Sequence, residues 1–320
     1  MKSLSLFFAA VLAVFSLVGP IGAVSAHGAS VRSVLAGTYP VWLLTRAVTE
    51  GVPGLEVGLL VAADTGCPHD YAPTPADLLR IEQADLIVIN GLGMEDAFHD
   101  ALSRRGGDVL DCGAGLGEAL AAYAGKLPAS RGGEHHGHEH ADSGVDPHIF
   151  AGPRLAALMA EGIAEELARR DPAHAARYRE NAAGLGAGLG ELLERLRRLT
   201  HRGASPVRVL LQHDALSYLA ADAGLEVLDI VQETSSEAPT ASHLMRILEE
   251  ARQERPDLLL GERQFTDKTM RMLSEEAGIP LLCLDSLASG PEDVPADQYL
   301  RVMRNNVSLL EERLAHQPTH

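Results

Sequence analysis

Four side chains that could bind a metal ion lie in four separate segments of this sequence. They are His69, His148, His213 and Asp285. Three imidazoles and one carboxylate suit a tetrahedral, zinc-like site. Copper and nickel would compete for such donors on intrinsic affinity, whereas a manganese site normally has more oxygen ligands. The residue types therefore predict a site for a divalent metal ion, with Zn²⁺ ahead of Mn²⁺, if the fold brings them together.

The positions of these residues relative to the predicted strands indicate how they could meet. His69 follows one apolar segment, and His213 and Asp285 end two others. His148 directly precedes a helix that is predicted to begin near Pro153. In open α/β sheets, ligands bind beyond the carboxyl ends of the strands, so two sheets could present the four side chains across a cleft. The structural alternatives stay open: a histidine after a strand is often a loop or core residue, and Asp285 could cap the following helix.

The stretch GGEHHGHEHADSGVDPHIF, residues 132–150, holds five histidines of two predicted kinds. His148 is the fixed ligand named above. The other four stand among glycines and acids without apolar periodicity, which is typical of a solvated loop; they are His135, His136, His138 and His140. We expect this accessory loop, 134–140, to collect zinc weakly near the cleft. The alternative is a solubilising insert with no role in metal binding.

Short apolar segments alternate with amphipathic ones, which predicts an α/β fold of parallel sheets covered by helices on both faces. The predicted strands are 31–37, 55–61, 85–91, 108–112, 207–213, 225–231, 257–262 and 280–285. They form two lobes with the metal site in the cleft between them. The predicted domains are a first lobe at 27–170, a linking helix at 171–201 and a second lobe at 202–320. Glycines in the linking helix favour a kink or break there.

The net charge and the N-terminal segment limit the partners and the location that we expect for this protein. The 320 residues carry a net charge of −17, which argues against nucleic acid as a partner and against an anionic membrane surface. Lys2 precedes an apolar run, and small residues lead to Ala26, as in a signal peptide at 1–26 that is cleaved after Ala26. A membrane anchor is the alternative, but the run is short and Pro20 and Gly22 follow it. We expect a soluble, exported protein without direct membrane insertion.

The sequence contains three cysteines, Cys67, Cys112 and Cys283. Because none forms a CxxC pair, a thiolate zinc site is not expected. An oxidising compartment permits a bridge between Cys67 and Cys112, both of which follow predicted strands of the first lobe. The alternative is three unpaired thiols.

Six stretches resemble, in order, the landmarks of one protein family. They are AGTYPVWLLTRAV, GCPHDYAPTPADLLRIEQADLIVINGLGMED, DPHIF, LLQHDALSYLAADAGLEV, GERQF and LCLDSL. The family comprises the zinc- and manganese-binding solute receptors of bacterial ABC importers, cluster A-I, and the resemblance covers essentially the whole chain after residue 26. It implies two α/β lobes joined by a long helix, with the metal held between them. The ligand positions of the family fall on His69, His148, His213 and Asp285.

The same resemblance implies a function in transport. We expect a periplasmic, monomeric protein that is not an enzyme, that captures zinc and that delivers it to an ABC permease of the inner membrane. Histidine at position 213 favours zinc, because manganese receptors of this family tend to have glutamate there. Cys67 departs from the family, since relatives commonly have an acidic residue at that position. The resemblance therefore does not predict which side chains line the entrance of the site.

Other functions remain as alternatives at this stage. A secreted zinc-dependent hydrolase would need three protein ligands, a bound water and a general base, and Glu262 is the candidate base. The sequence has no HExxH motif, and Asp285 would fill the position that water needs. A manganese-specific receptor of the same family and a surface adhesin or metal sink are further alternatives.

Overall fold

The computed structural model describes residues 31–63, 71–128, 145–200, 206–232, 239–265 and 268–315. These residues form two four-stranded parallel sheets with the orders β2–β1–β3–β4 and β6–β5–β7–β8. The strands are β1 (Ser33–Ala36), β2 (Glu56–Leu59), β3 (Leu86–Ile89), β4 (Val109–Asp111), β5 (Arg208–Leu211), β6 (Glu226–Ile230), β7 (Leu258–Glu262) and β8 (Leu281–Leu284). All eight predicted strands are confirmed, with shorter bounds. The fold class is therefore two α/β lobes, as predicted, and the structure shows that the two sheets have the same strand order.

Helices cover the sheets and join them. They are α1 (Tyr39–Thr49), α2 (Pro75–Gln83), α3 (His99–Arg105), α4 (Gly117–Ala121), α5 (Pro153–Arg170), α6 (Ala175–Thr200), α7 (Ser217–Ala223), α8 (Ala241–Glu254), α9 (Lys268–Ala277) and α10 (Gln298–Ala315). None of these described helices has both the length and the apolar content that a membrane span requires. The predicted signal peptide, 1–26, lies outside the described residues.

The start of α2 shows how local sequence sets an element near the cleft. The Thr74 hydroxyl accepts a hydrogen bond from the Asp77 backbone N–H, and the Asp77 carboxylate accepts one from the Thr74 backbone N–H. Pro75 occupies the first turn, where its missing N–H costs nothing. This reciprocal capping box makes Thr74 the N-cap, and the helix begins at Pro75.

Helix α6 is one continuous helix of 26 residues, which is about 39 Å at 1.5 Å per residue. The expected break at its glycines is therefore wrong. Its buried face consists largely of leucines, and burial of that face outweighs the weak helix propensity of glycine. Gly188 also permits close packing, because a Cβ atom there would lie 2.8 Å from Cδ2 of Leu300 in α10.

The largest apolar cluster among the described residues runs through both lobes, and each lobe has a smaller cluster of its own. The largest cluster includes Val34 of the first sheet, Leu189 of α6 and Leu260 of the second sheet. Helix α10 leaves the second lobe and packs against α6 and α1. The two lobes therefore share their main packing, and the predicted domain boundaries at 170 and 202 stay a prediction.

Cys112 is a buried, free thiol in the structure, and burial raises its pKa. The predicted bridge between Cys67 and Cys112 is therefore absent from this structure. Cys67 itself lies outside the described residues. Burial stabilises the neutral thiol, which makes Cys112 a small apolar side chain of the first lobe.

Candidate metal centre

His148 lies just before α5, at the start of a 3₁₀ turn that spans Ile149–Ala151. Only 5% of the residue is exposed. One carboxylate oxygen of Asp146, Oδ1, accepts a hydrogen bond from the His148 backbone N–H at 2.9 Å. The same oxygen lies 2.8 Å from Nδ1 of the ring. The imidazole is thus held by an acid two residues before it.

His213 follows β5 and caps a second 3₁₀ turn, Asp214–Leu216. Its Nδ1 accepts a hydrogen bond from the Ala215 backbone N–H at 3.4 Å and lies 3.1 Å from Oδ1 of Asp214. The residue is buried. A strand end followed by a tight turn therefore fixes the backbone of this histidine at the carboxyl edge of the second sheet.

The two histidines and Asp214 form a compact group between the lobes. One potential ligand atom from each residue lies within 4.8 Å of the others. The ring centroids of His148 and His213 are 5.3 Å apart, and the ring planes meet at 81°. Oδ1 of Asp214 is 3.4 Å from Nδ1 of His148. The fold thus brings one histidine from each half of the chain to the same place.

Glu262 is the buried acid beside this group. It ends β7, is 1% exposed and has Oε1 at 3.8 Å from Nδ1 of His213. Oδ1 of Asp214 has no hydrogen-bond partner among the described residues, and the Glu262 carboxylate lies close to the Ser286 side chain. Buried acid oxygens without partners are costly, and a cation beside the imidazoles would compensate them. This donor set fits a divalent metal ion.

The pKa values of these acids follow from their burial. Burial raises the pKa of Glu262 to about 7. The Ser286 side chain and His148 oppose this shift, while nearby Asp214 and Asp285 add to it. Burial also raises the pKa of Asp146, against the lowering effect of His148. An electrostatic cost therefore remains in the metal-free site when these acids are charged.

We predict that Glu262→Gln stabilises the metal-free protein at alkaline pH only. The Glu262 pKa rises from 4.5 to about 7 on folding, so the folded state binds the extra proton. The stabilisation that comes from binding this proton is complete below about pH 4.5 and is lost as the pH rises through about 7. The neutral amide does not undergo this loss. Chemical denaturation should show a gain of about 1–3 kcal/mol at pH 8 and little change near pH 4.5.

Glu82→Gln is the matched control, because Glu82 is exposed on α2. The free energy of unfolding of this variant should equal that of the parent protein at both pH values. A Glu262→Gln variant that gains as much stability at pH 4.5 as at pH 8, or none at pH 8, would contradict the titration of Glu262.

Asp285 follows β8 and lies outside the compact group. The strand order explains this, because β7 separates β5 from β8 and two strand spacings amount to about 9–10 Å. Its Oδ1 accepts hydrogen bonds from the Gln264 side chain and from the Leu287 backbone N–H, the latter at 2.9 Å. Asn306 pairs with both the backbone N–H and the backbone carbonyl of Asp285. The carboxylate is thus held at the same edge of the sheet, two strands from His213.

The predicted ligand set is only partly visible. The structure brings His148 and His213 together and places Asp285 along the same edge, while His69 lies outside the described residues. The accessory loop with His135, His136, His138 and His140 also lies outside them. Sequence reasoning missed Asp146 and Asp214 as members of the site. Both acids stand close in sequence to a predicted ligand: Asp146 is two residues before His148, and Asp214 directly follows His213. This closeness was the available signal.

The chain matches the family described as "Zinc-uptake complex component A periplasmic" over residues 34–313. It belongs to this family. The match covers both sheets and the segments that hold His148 and His213, and it confirms the resemblance to the cluster A-I receptors.

Two curated relatives show the same relationship. The high-affinity zinc uptake system protein ZnuA of Bacillus subtilis is 27% identical over 285 residues, which cover 86% of this chain and 85% of the relative. The zinc-binding lipoprotein AdcA of Streptococcus pneumoniae is 27% identical over 317 residues. That alignment covers 98% of this chain but 61% of AdcA, so AdcA is substantially longer than the part matched here.

Solved structures share the fold. The solute-binding protein FpvC of Pseudomonas aeruginosa in complex with Mn²⁺ has a TM-score of 0.71 at 24% identity, covering 88% of this chain and 98% of FpvC. A Zn(II)-bound mutant variant of AdcAII from Streptococcus pneumoniae has a TM-score of 0.70 at 23% identity, covering 89% of this chain and 99% of AdcAII. At these identities the likeness concerns the fold alone.

Proposed function

We propose that this protein captures Zn²⁺ in the periplasm and delivers it to an ABC permease of the inner membrane. The observation that carries the proposal is the group of His148, His213 and Asp214, which joins the two lobes of a chain from the zinc-uptake family. Two buried imidazoles beside Asp214 and Glu262 provide a site for a divalent cation. Binding and release require no covalent chemistry.

The full ligand set that we propose is His69, His148, His213 and Asp285. Support for His148 and His213 comes from their contact across the lobes, and support for His69 and Asp285 comes from the family resemblance. A set rich in imidazole favours Zn²⁺ over Mn²⁺, because Mn²⁺ lies lowest in the affinity order of first-row divalent ions and prefers oxygen ligands. The protein is therefore proposed as a zinc receptor rather than a manganese receptor.

A receptor agrees better with the position of Glu262 than a hydrolase does. A general base must reach a water molecule that attacks the substrate, whereas Glu262 is 1% exposed and lies beside His213. We propose that the protein is not an enzyme and acts as a monomer. We also propose export with cleavage after Ala26, which N-terminal mass analysis of the exported chain would test.

The experiment that tests the proposed function is a competition between metals. Metal-free protein is titrated with Zn²⁺ and with Mn²⁺ against a chromophoric chelator, and is then added to vesicles that contain the candidate permease. We expect one tight Zn²⁺ equivalent, much weaker Mn²⁺ binding, and Zn²⁺ uptake that requires the loaded protein. Tighter binding of Mn²⁺ would identify a manganese receptor, and hydrolysis of ester or peptide substrates would identify an enzyme.

We predict that deletion of the accessory loop, 134–140, removes only weak zinc binding. The loop is rich in histidine and acid and lacks apolar residues. Because fixing the backbone costs roughly 1–2 kcal/mol per residue, we expect zinc binding by the loop to be weak. Calorimetry should show fewer weak equivalents and one tight equivalent of nearly unchanged affinity. A loss of the tight affinity by more than about tenfold, or roughly 1.4 kcal/mol, would make the loop part of the main site.

A further inference from the structure

We propose that Asp146 is a positioning residue for zinc binding: it sets the tautomer and the orientation of the His148 ring. The inference rests on the proposed function, and it concerns an acid that is not among the predicted ligands. Its basis is the pair of contacts between one carboxylate oxygen and two nitrogens of His148.

The two contacts fix the direction of the hydrogen bonds. Oδ1 of Asp146 accepts from the His148 backbone N–H at 2.9 Å, which orients the carboxylate towards its own turn. The same oxygen lies 2.8 Å from Nδ1 of the ring. An ionised Asp146 can only accept, so Nδ1 carries the proton of the neutral ring whenever this carboxylate is charged. Nε2 is then the nitrogen whose lone pair can bind the metal.

The competing acid is less well placed for this role. Oδ1 of Asp214 is 3.4 Å from the same Nδ1, against 2.8 Å for Asp146. It has no hydrogen-bond partner among the described residues. Both side chains of the Asp146–His148 pair are less than one-tenth exposed, so water competes little for the contact. Asp146 is therefore the acceptor that determines the tautomer.

The segment that carries Asp146 is held from both lobes. The hydroxyl of Tyr218, in α7 of the second lobe, donates to the backbone carbonyl of Asp146 at 2.8 Å. The side-chain amide of Asn90, which follows β3 of the first lobe, donates to the backbone carbonyl of Pro147 at 2.8 Å. Tyr218 and Asn90 are fully buried. The orientation of His148 thus depends on the relative position of the two lobes.

An Asp–His pair outside the cleft provides a matched control. Oδ2 of Asp171 lies 2.7 Å from Nδ1 of His174 and accepts from the Tyr178 hydroxyl at 2.9 Å. Asp171 is as buried as His148, at 5% exposed. Its pair lies at the junction of α5 and α6, so its loss affects stability without altering a zinc ligand.

The test combines zinc affinity with the tautomer of the ring. Loss of a residue that orients a metal-binding histidine typically lowers metal affinity about 10- to 100-fold. We expect Asp146→Ala to lose affinity in this range, Asp146→Asn to lose less because its amide oxygen still accepts, and Asp171→Ala to keep the parent affinity. Nitrogen-15 NMR of the metal-free parent should show His148 with its proton on Nδ1, assigned by comparison with His148→Gln. This single tautomer should disappear in Asp146→Ala.

The outcomes separate this inference from the proposed function. A parent protein without a tight zinc site would overturn the proposed function itself. With tight binding in the parent, parent-like affinity in both Asp146 variants would overturn the positioning role. If Asp146→Ala does not fold, parent-like affinity of Asp146→Asn together with an Nε2-protonated His148 in the parent would overturn that role as well.

Discussion

His213→Ala should weaken zinc binding by on the order of 100-fold or more. A four-ligand zinc site is worth about 10–16 kcal/mol in small zinc domains, so one ligand accounts for about 3 kcal/mol. His213 is buried at the carboxyl end of β5 and contacts His148 across the lobes. Alanine there removes the imidazole that lies 3.1 Å from Oδ1 of Asp214 and 3.8 Å from Oε1 of Glu262. Competition with a chromophoric chelator at pH 7.5 would measure the loss.

His148→Ala should lose a similar factor, since its ring is the counterpart from the other half of the chain. His174→Ala is the control, because that ring pairs with Asp171 away from the cleft and its removal should leave the affinity unchanged. Parent-like affinity in both His148→Ala and His213→Ala would show that the tight site lies elsewhere.

Leu189→Ala should destabilise the whole protein by about 2–5 kcal/mol, the range for deleting a buried leucine side chain. Leu189 is 1% exposed in the middle of α6 and belongs to the core that the two lobes share. Because that core is continuous, both lobes should unfold in one transition that moves to lower denaturant concentration. Urea denaturation followed by circular dichroism would measure it.

Leu79→Ala is the control for this substitution. Leu79 is 56% exposed on α2, so its truncation removes little packing, and a change within about 0.5 kcal/mol is expected. Two separate transitions in Leu189→Ala, with only one of them shifted, would contradict a shared core.

The strands could be predicted from the sequence because parallel strands that are buried on both faces appear as short apolar runs. The start of α2 could also be predicted, since Thr74 and Asp77 act within one turn. The continuity of α6 could not. Glycine lowers local helix propensity, but the packing of Gly188 against Leu300 and the leucine face depend on α10, which lies more than a hundred residues further along the chain.

The candidate site divides in the same way. His148 and His213 could be predicted because strand ends and helix starts are local features and ligands collect beyond the carboxyl ends of strands. Asp146 and Asp214 stand within two residues of a predicted ligand, but their contacts with the rings depend on the local backbone geometry, which the sequence pattern does not specify. The distance of Asp285 from the histidines follows from the strand order, which alternation of apolar segments does not specify.

A crystal structure of the zinc-loaded protein, with anomalous differences measured at the zinc absorption edge, tests the central claim most directly. We predict one strong anomalous peak between the lobes, about 2.0–2.1 Å from Nε2 of His148 and from a ring nitrogen of His213, with Nδ1 of His148 still bonded to Asp146. A strong peak that contacts neither histidine, or one that contacts His148 through Nδ1, would contradict this account of the site.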